Sequence, residues 1–428
     1  MGTLNFINCN MLQKVEFYSL LAGVFFLPLL EAPKNLCLLV FLVCWLINRI
    51  KAKNFGGKIS LLDISVFALA ISGYLSAIFT ELHHKEWSGP NNLLLICVLF
   101  LMIYRSNYSP KQITNILFTP IVSTGIGIIE ALVQQHYLRE CTNRCLFELH
   151  SVGHVNHSAI YLLLAYGISL SFTVSCWKKN SLFTKICFTT LTAFFAVVSI
   201  LTESRAAAGG VFIIILLLSI GYLRQNLKAS LALFTLLSLS VIGTIALKPP
   251  VIEKQIRKME KSNTIYARKK IWNSGLTAWR EYPAWGIGMK NYSQITPEKL
   301  QEWSQNQNKL YIPKNHMSFS HAHNLYINTM AEKGTVGLVS LLFFLLCTGF
   351  GIVRYYPKKT DSSDQLLFWG TAASAWITIT AVGLVNTTLH HEHGILSIIM
   401  LAGLTSIKKE TLITNKQLEN SSGYKTTN

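Results

Sequence analysis

The chain has 428 residues, 51% of them hydrophobic and only 14% charged, with a formal net charge of +18 and a mean hydropathy of +0.38. About a quarter of the residues in an ordinary soluble protein are charged, so these figures exclude a water-soluble globule. The basic residues are spread over many short segments, which argues against a nucleic-acid surface, and strand alternation of the kind a membrane barrel needs is absent.

The chain reads as all-α and polytopic. Roughly 20 apolar residues cross a bilayer, and runs of that kind place twelve spans near residues 15–30, 35–50, 61–79, 91–104, 112–133, 158–176, 182–201, 206–223, 228–247, 335–354, 366–389 and 393–407. The first run lacks a small-residue cleavage site and leads directly into another, so it is expected to be retained. This divides the chain into a membrane part over 1–247, a hydrophilic segment over 248–322 with amphipathic helices, a second membrane part over 323–410 and a tail over 411–428.

Charge gives the expected orientation. The loops after even-numbered spans hold fourteen Lys and Arg, among them Arg49, Lys51, Arg105, Lys179 and Lys358, whereas the short loops after odd-numbered spans hold five: Lys34, Lys85, Arg139, Arg144 and Arg205. Positive loops stay in the cytoplasm, so both termini are expected there and segment 248–322 outside. Long loops translocate whatever their charge, which reconciles that segment's thirteen Lys and Arg against five Glu. A basic surface beside a membrane gathers anionic lipids or phosphorylated glycolipids. Most of the nine cysteines fall within spans and read as small apolar packers. Cys141 and Cys145 fall in an outer loop, where an oxidising compartment permits a disulfide.

All twelve histidines, from His83 to His393, fall on the expected outer side. An H-x-H pair alone is a weak metal pattern and few carboxylates stand nearby, so no metal or other cofactor is expected. Arg205 stands in "LTESRAAAGG". A cation at that depth must snorkel or meet an anion, and the small residues after it let helices approach closely. In "TIYARKKIWNSGLTAWREYPAWGIG", helical spacing puts Ile265, Arg268, Trp272, Leu276 and Trp279 on one face. Arg280 lies about 120° from Arg268. An arginine inside an apolar stripe calls for a partner, and phosphate oxygens suit its fork of donors. Further on, "SHAHNLYINTMAEKGTVGL" contains H-N-x9-G-x2-G, formed by His323, Asn324, Gly334 and Gly337. Asn324 is placed to cap a helix.

Taken together, "TESRA", "ARKKIW…YPAWGIG" and "HAHNLYINTMAEKGTVG", with a weaker echo in "GHVNHSAIYLLLA" around His157, make the chain resemble the O-antigen ligase family. The resemblance implies a GT-C-like glycosyltransferase of about twelve spans with one large periplasmic loop before a late span, in the bacterial inner membrane. It implies transfer of a glycan from undecaprenyl pyrophosphate to lipid A-core, with its functional residues carried over to Arg205, Arg268 and His323. Arg280, His321, Asn324 and His157 are the further residues expected to contact substrate. The chain departs from the family's usual "SRGA" in having Ala206 after the arginine. A neutral imidazole would serve as general base and the arginines would hold the pyrophosphate. Single displacement would invert the anomeric carbon. The expected partners are this donor, this acceptor and membrane lipids, with no nucleic acid. The alternatives are an O-antigen polymerase or a protein O-oligosaccharyltransferase using the same donor, and in another class a lipid or glycan transporter. A transporter usually carries polar residues near mid-span and repeated halves, whereas the ionisable residues here crowd the outer ends.

Overall fold

The computed structural model describes residues 9–137, 148–175, 177, 181–223, 227–228, 230–235 and 264–404, and among the described residues there is no strand. Eight helices come first: α1 (Cys9–Phe26), α2 (Glu31–Ala52), α3 (Leu61–Phe79), α4 (Ser88–Arg105), α5 (Pro110–Tyr137), α6 (Val155–Ser175), α7 (Leu182–Leu201) and α8 (Arg205–Tyr222). Later come α9 (Thr264–Glu281), α10 (Pro297–Asn306), α11 (Leu325–Arg354), α12 (Ser363–Thr380) and α13 (His391–Gly403). Among the described residues nine of these are long and apolar enough to cross a membrane. α1 and the short α13 occupy the places expected for spans one and twelve. Most of span nine, the Cys141–Cys145 pair and the tail after 404 lie outside the described residues.

α6 is the centre of the bundle. Only Asn156, His157 and Thr173 of its residues are not buried, as befits a helix apolar on every side. It packs against α5, α7, α8, α12 and α13. Two of its hydroxyls bond back into the helix: Ser171 Oγ donates to the Gly167 carbonyl (2.7 Å) and Thr173 Oγ1 to the Ser169 carbonyl (2.9 Å). Apolar surroundings leave such groups no other inexpensive partner.

The two ends of the bundle differ in the way the charge pattern anticipates. At one end Arg105 pairs with Asp63 (2.8 Å) and donates to the Phe55 carbonyl, while Tyr222 Oη donates to the Leu366 carbonyl. At the other, Lys34 forms a buried ion pair with Glu392, Tyr282 Oη donates to Glu81 and Asn291 Nδ2 donates to the Leu82 carbonyl. Segments assigned to one side by charge are thus gathered at one end of the molecule.

The start of α11 departs from expectation. Hydropathy puts a span at 335, but the helix begins ten residues earlier at Leu325, capped by the Asn324 side chain, which accepts from the Tyr326 and Ile327 amides (2.9 Å each). The added turns bury Glu332 and Lys333. A hydropathy window assumes lipid around these residues, whereas protein surrounds them.

α11 also breaks at Gly334, where φ is 65° and ψ −162°, a backbone region open essentially to glycine alone. The break frees backbone groups that the Pro283–Gly288 segment takes up. Ile287 N donates to the Ala331 carbonyl (2.9 Å), Gly288 N to Glu332 O (3.0 Å) and Thr335 N to Pro283 O (2.8 Å). Gly286 (φ 70°) lies against the Glu332–Gly334 backbone, and Gly334 lies against Ala284 and Trp285. A β-carbon on Gly334 would overlap the Ala284 carbonyl. We therefore expect Gly334→Ala to lower stability by several kcal/mol, combining backbone strain with a steric clash. Gly209→Ala, with nothing within 4 Å of the added carbon, should be near neutral. Thermal unfolding in detergent measures both, and equal midpoints would refute the close-contact argument.

Candidate active site

Three of the sequence motifs meet at the end of the bundle that carries the histidines. α9 is held against the segment before α11 by side-chain bonds: Trp272 Nε1 donates to the Ala322 carbonyl (2.9 Å), Asn273 Nδ2 to Asn315 O (3.0 Å) and Ser274 Oγ to Met317 O (3.1 Å). Tyr292 Oη adds a bond to the Ile271 carbonyl (2.7 Å) beside Gly275, where a larger residue would not fit. The deeply buried stripe of α9 is Ile271, Ser274, Gly275 and Ala278. The expected face is rotated from it. Arg268, Trp272, Leu276 and Trp279 are half-buried along its flank, and the side chain of Ile265 lies outside the described residues. Small residues make the closest contact, which an apolarity count overlooks.

His323 sits directly before the Asn324 cap, with φ at 48°. That left-handed conformation is uncommon for a residue with a side chain, and it places the half-buried imidazole against its neighbour. His323 Nδ1 and His321 Nε2 are 3.1 Å apart, and His321 Nδ1 is 2.9 Å from Ser320 Oγ. Asn324 Nδ2 anchors the corner by donating to the Leu384 carbonyl (2.9 Å). Burial first, then the nearby charges of His321 and Arg268, push the His323 imidazole down to about 4. Burial, with His154 and His391 beside it, also lowers His321.

Arg205 opens α8, after Ser204 has capped it by accepting from the Ala207 amide (3.4 Å). A cation at a helix N-terminus opposes the macrodipole. Arg268 is close enough to feel it: burial first, and then the positive charge of Arg205, hold the Arg268 guanidinium below its ordinary range. Among the described residues neither arginine forms an ion pair with a carboxylate. Arg205, Arg268, His321 and His323 thus form one electrostatically linked group. Arg280 is exposed in the last turn of α9, about 18 Å along the axis from Arg268 at 1.5 Å per residue, too far to share one pyrophosphate with it.

Beside the His321–His323 pair lies a cavity of about 290 Å³, lined among others by His157, Lys290, His321, Asn328, Lys333 and His391. A larger groove of about 710 Å³ at the opposite end holds Arg354 as its one lysine or arginine, so size alone does not mark the site. Sequence reading did not single out Lys290 or Lys333, nor His390 and His391, which bring one nitrogen each within 4.8 Å of His157. The doubled histidine in "HHEH" was the available signal. His157 therefore stands with the α13 histidines, across the cavity from the α11 pair.

Comparison with known proteins agrees with this geometry. A family model described as "O-Antigen ligase" matches residues 190–342, the stretch that contains Arg205, Arg268 and His323. An uncharacterized protein of Haemophilus influenzae is 24% identical over 363 residues, covering 78% of this chain and 84% of its own. The exopolysaccharide production protein ExoQ of Rhizobium meliloti is 25% identical over 118 residues, covering 27% of this chain and 26% of its own. Residues 190–342 of this multi-helix membrane protein thus match the O-antigen ligase family model.

Proposed function

We propose that the protein transfers a glycan from undecaprenyl pyrophosphate to lipid A-core at the periplasmic face of the bacterial inner membrane, with inversion at the anomeric carbon. The observation that carries this reading is the pair of mutually repelling arginines, one half-buried, beside a histidine dyad. A bound pyrophosphate relieves that repulsion and accepts their forked hydrogen bonds. The family match to ligase-type glycan transfer supports it.

The dyad is suited to a base. For His323 Nε2 to accept a proton, Nδ1 must carry one and donate it to His321 Nε2. His321 Nδ1 then donates to Ser320 Oγ. His321 is thus a positioning residue that fixes the tautomer of His323. An acceptor hydroxyl gives its proton to His323 and attacks the anomeric carbon. The bond from that carbon to the pyrophosphate oxygen breaks, and its electron pair leaves with the pyrophosphate held by Arg205 and Arg268. The free site is tuned low for a base at neutral pH, and the donor corrects this. Its negative charge offsets Arg268 and lifts His323 toward the usual histidine value near 6.5. The cavity beside His321 receives the acceptor, with Lys290 and Lys333 facing its phosphates. A polymerase that extends the lipid-linked chain is the second reading, favoured by the similarity to an exopolysaccharide production protein.

Purified protein incubated with lipid-linked glycan and lipid A-core should give a joined product, whereas longer lipid-linked chains without joining would favour the polymerase. His323→Ala should lose about 10² to 10⁴ in rate while still binding a non-transferable donor analogue; normal transfer would exclude it as the base. His323 must be neutral to act, so the rate falls as pH drops through its pKa. The acid limb of kcat/KM, which reports the free enzyme, should lie near 4, and that of kcat should lie higher. An acid limb at the ordinary histidine value in kcat/KM would contradict the burial argument.

Inorganic pyrophosphate should raise the melting temperature, since a ligand of the folded state stabilises it. Arg205→Ala and Arg268→Ala should abolish that shift and Arg268→Lys should restore little of it, while Arg280→Ala keeps it. A shift that survives in both alanine variants would remove the arginines from the donor site.

For orientation, single cysteines at Asn308 and Lys358, both exposed and at opposite ends, should label differently in intact cells. An impermeant reagent should reach Asn308→Cys directly and Lys358→Cys only after lysis. The reverse pattern would place the site in the cytoplasm.

A further inference from the structure

The sequences "HVNH" and "HHEH" are far apart in the chain, yet the first turns of α6 and α13 bring them together. The His157 ring centroid is 4.9 Å from that of His390 and 4.9 Å from that of His391, and the latter two are 4.5 Å apart. Tetrahedral zinc, with nitrogen ligands at about 2.0–2.1 Å, holds its imidazole centroids about 5 Å apart and its ligand nitrogens about 3.3 Å apart. The rings therefore already stand at ligand spacing, and the nitrogens, within 4.8 Å of one another, close on an ion by ring rotation.

We propose that His157, His390 and His391 bind one divalent transition-metal ion of the zinc class, with the remaining coordination position toward the cavity. Three further observations support this. His390 Nε2 is taken by Thr387 Oγ1 (2.7 Å), which orients the ring and leaves Nδ1 as the donor, as an outer partner does for a ligating histidine. His391 adopts φ 51°, a left-handed backbone that has a strain cost and keeps its ring beside His157. His393 is fully buried, and its Nδ1 has no hydrogen-bond partner among the described residues. Its Nε2 faces the Thr387 carbonyl (3.3 Å), which can only accept, so Nδ1 keeps a lone pair. Its ring is 5.2 Å from His157 and 4.8 Å from His390 but 6.4 Å from His391, so its unpartnered nitrogen borders the three-histidine group without joining it.

The donor set names the ion class. Glu392, the one carboxylate within "HHEH", is taken by Lys34, so the ligand atoms gathered there are imidazole nitrogens. Such a set suits zinc, nickel, cobalt or copper rather than magnesium or calcium. His157, His390 and His391 all line the cavity and His391 is exposed, which gives the ion a route from the outer face. Its effect is to pin the start of the short α13 to the central helix. The assignment stands on these residues alone, whatever the cavity receives.

The test uses the full chain with an affinity tag free of histidine, stripped by chelator, reloaded with zinc sulfate and desalted. Elemental analysis should find one zinc per chain, and zinc should raise the melting temperature. Loading with cobalt should give the visible absorption of a four-coordinate, nitrogen-ligated ion. His391→Ala, at an exposed position that leaves the fold intact, should abolish retention. Thr387→Val should weaken zinc binding by about 10- to 100-fold. His83→Ala, whose side chain is 69% exposed, should leave retention unchanged. No retained zinc in the wild type, retention undiminished in His391→Ala, or equal loss in His83→Ala would each overturn the proposal.

Discussion

The contact between Gly286 and Gly334 is the constraint on which the arrangement of the site depends. Two chain segments meet there backbone to backbone, and the amides after Gly286 complete carbonyls that the break in α11 leaves open. Buried backbone groups must be paired, so the break and the segment that fills it require each other. One consequence is that α9 and α11 cannot slide independently. Arg268 lies on the first and His323 stands directly before the second, and Trp272 reaches the residue adjoining His323. The proposed base and anion site need to be held rigidly relative to each other to act together, and this lock ties the two helices that carry them.

Around the lock the charges are arranged in an unusual balance. Where the bundle needs only cohesion, ions are paired, as in Arg105 with Asp63 and Lys34 with Glu392. Breaking such a buried pair by removing one partner is strongly destabilising. At the proposed site the opposite holds: the charge of Arg205 bears on Arg268, and the histidines nearby are driven toward neutrality by burial. Cations left without carboxylates at the edge of a membrane are a cost to the free protein. A bound anion would offset that cost, which is the role proposed above for the donor pyrophosphate.

How far this could be read from the sequence follows from what each signal measures. Helices α2 to α8 lie within a few residues of the apolar runs, because lipid-length runs of apolar residues admit few other structures. The gathering of loops at two ends follows the charge asymmetry. Arg205 and Arg268 stand out in the sequence as cations among small or apolar residues, whereas His323 is picked out by the family motif. Hydropathy failed where protein replaces lipid: it started α11 late because Glu332 and Lys333 are buried in the bundle. It also rotated the face of α9, since Ser274, Gly275 and Ala278 score low yet pack closest. Pairings between distant segments, such as His157 with His390 and His391, have no local signature at all.

The strained residues show what these distant pairings accomplish. Glu203, Lys290, His323 and His391 all carry positive φ, at a cost on the order of 1–3 kcal/mol each, and all four stand in or beside the segments that carry the proposed site. Glu203 turns the chain into the Ser204 cap, so that Arg205 is the first residue of α8. Lys290 follows the locked segment and reaches Ser88 (2.8 Å) at the cavity rim. His323 and His391 each stand at the start of a helix, where the chain must reverse and a side chain must be aimed in the same step. Helix geometry alone would point these side chains along the bundle surface. Strained single residues redirect them, so that Lys290 and His391 line one cavity, and the stability of the apolar bundle is what allows four of them to persist together.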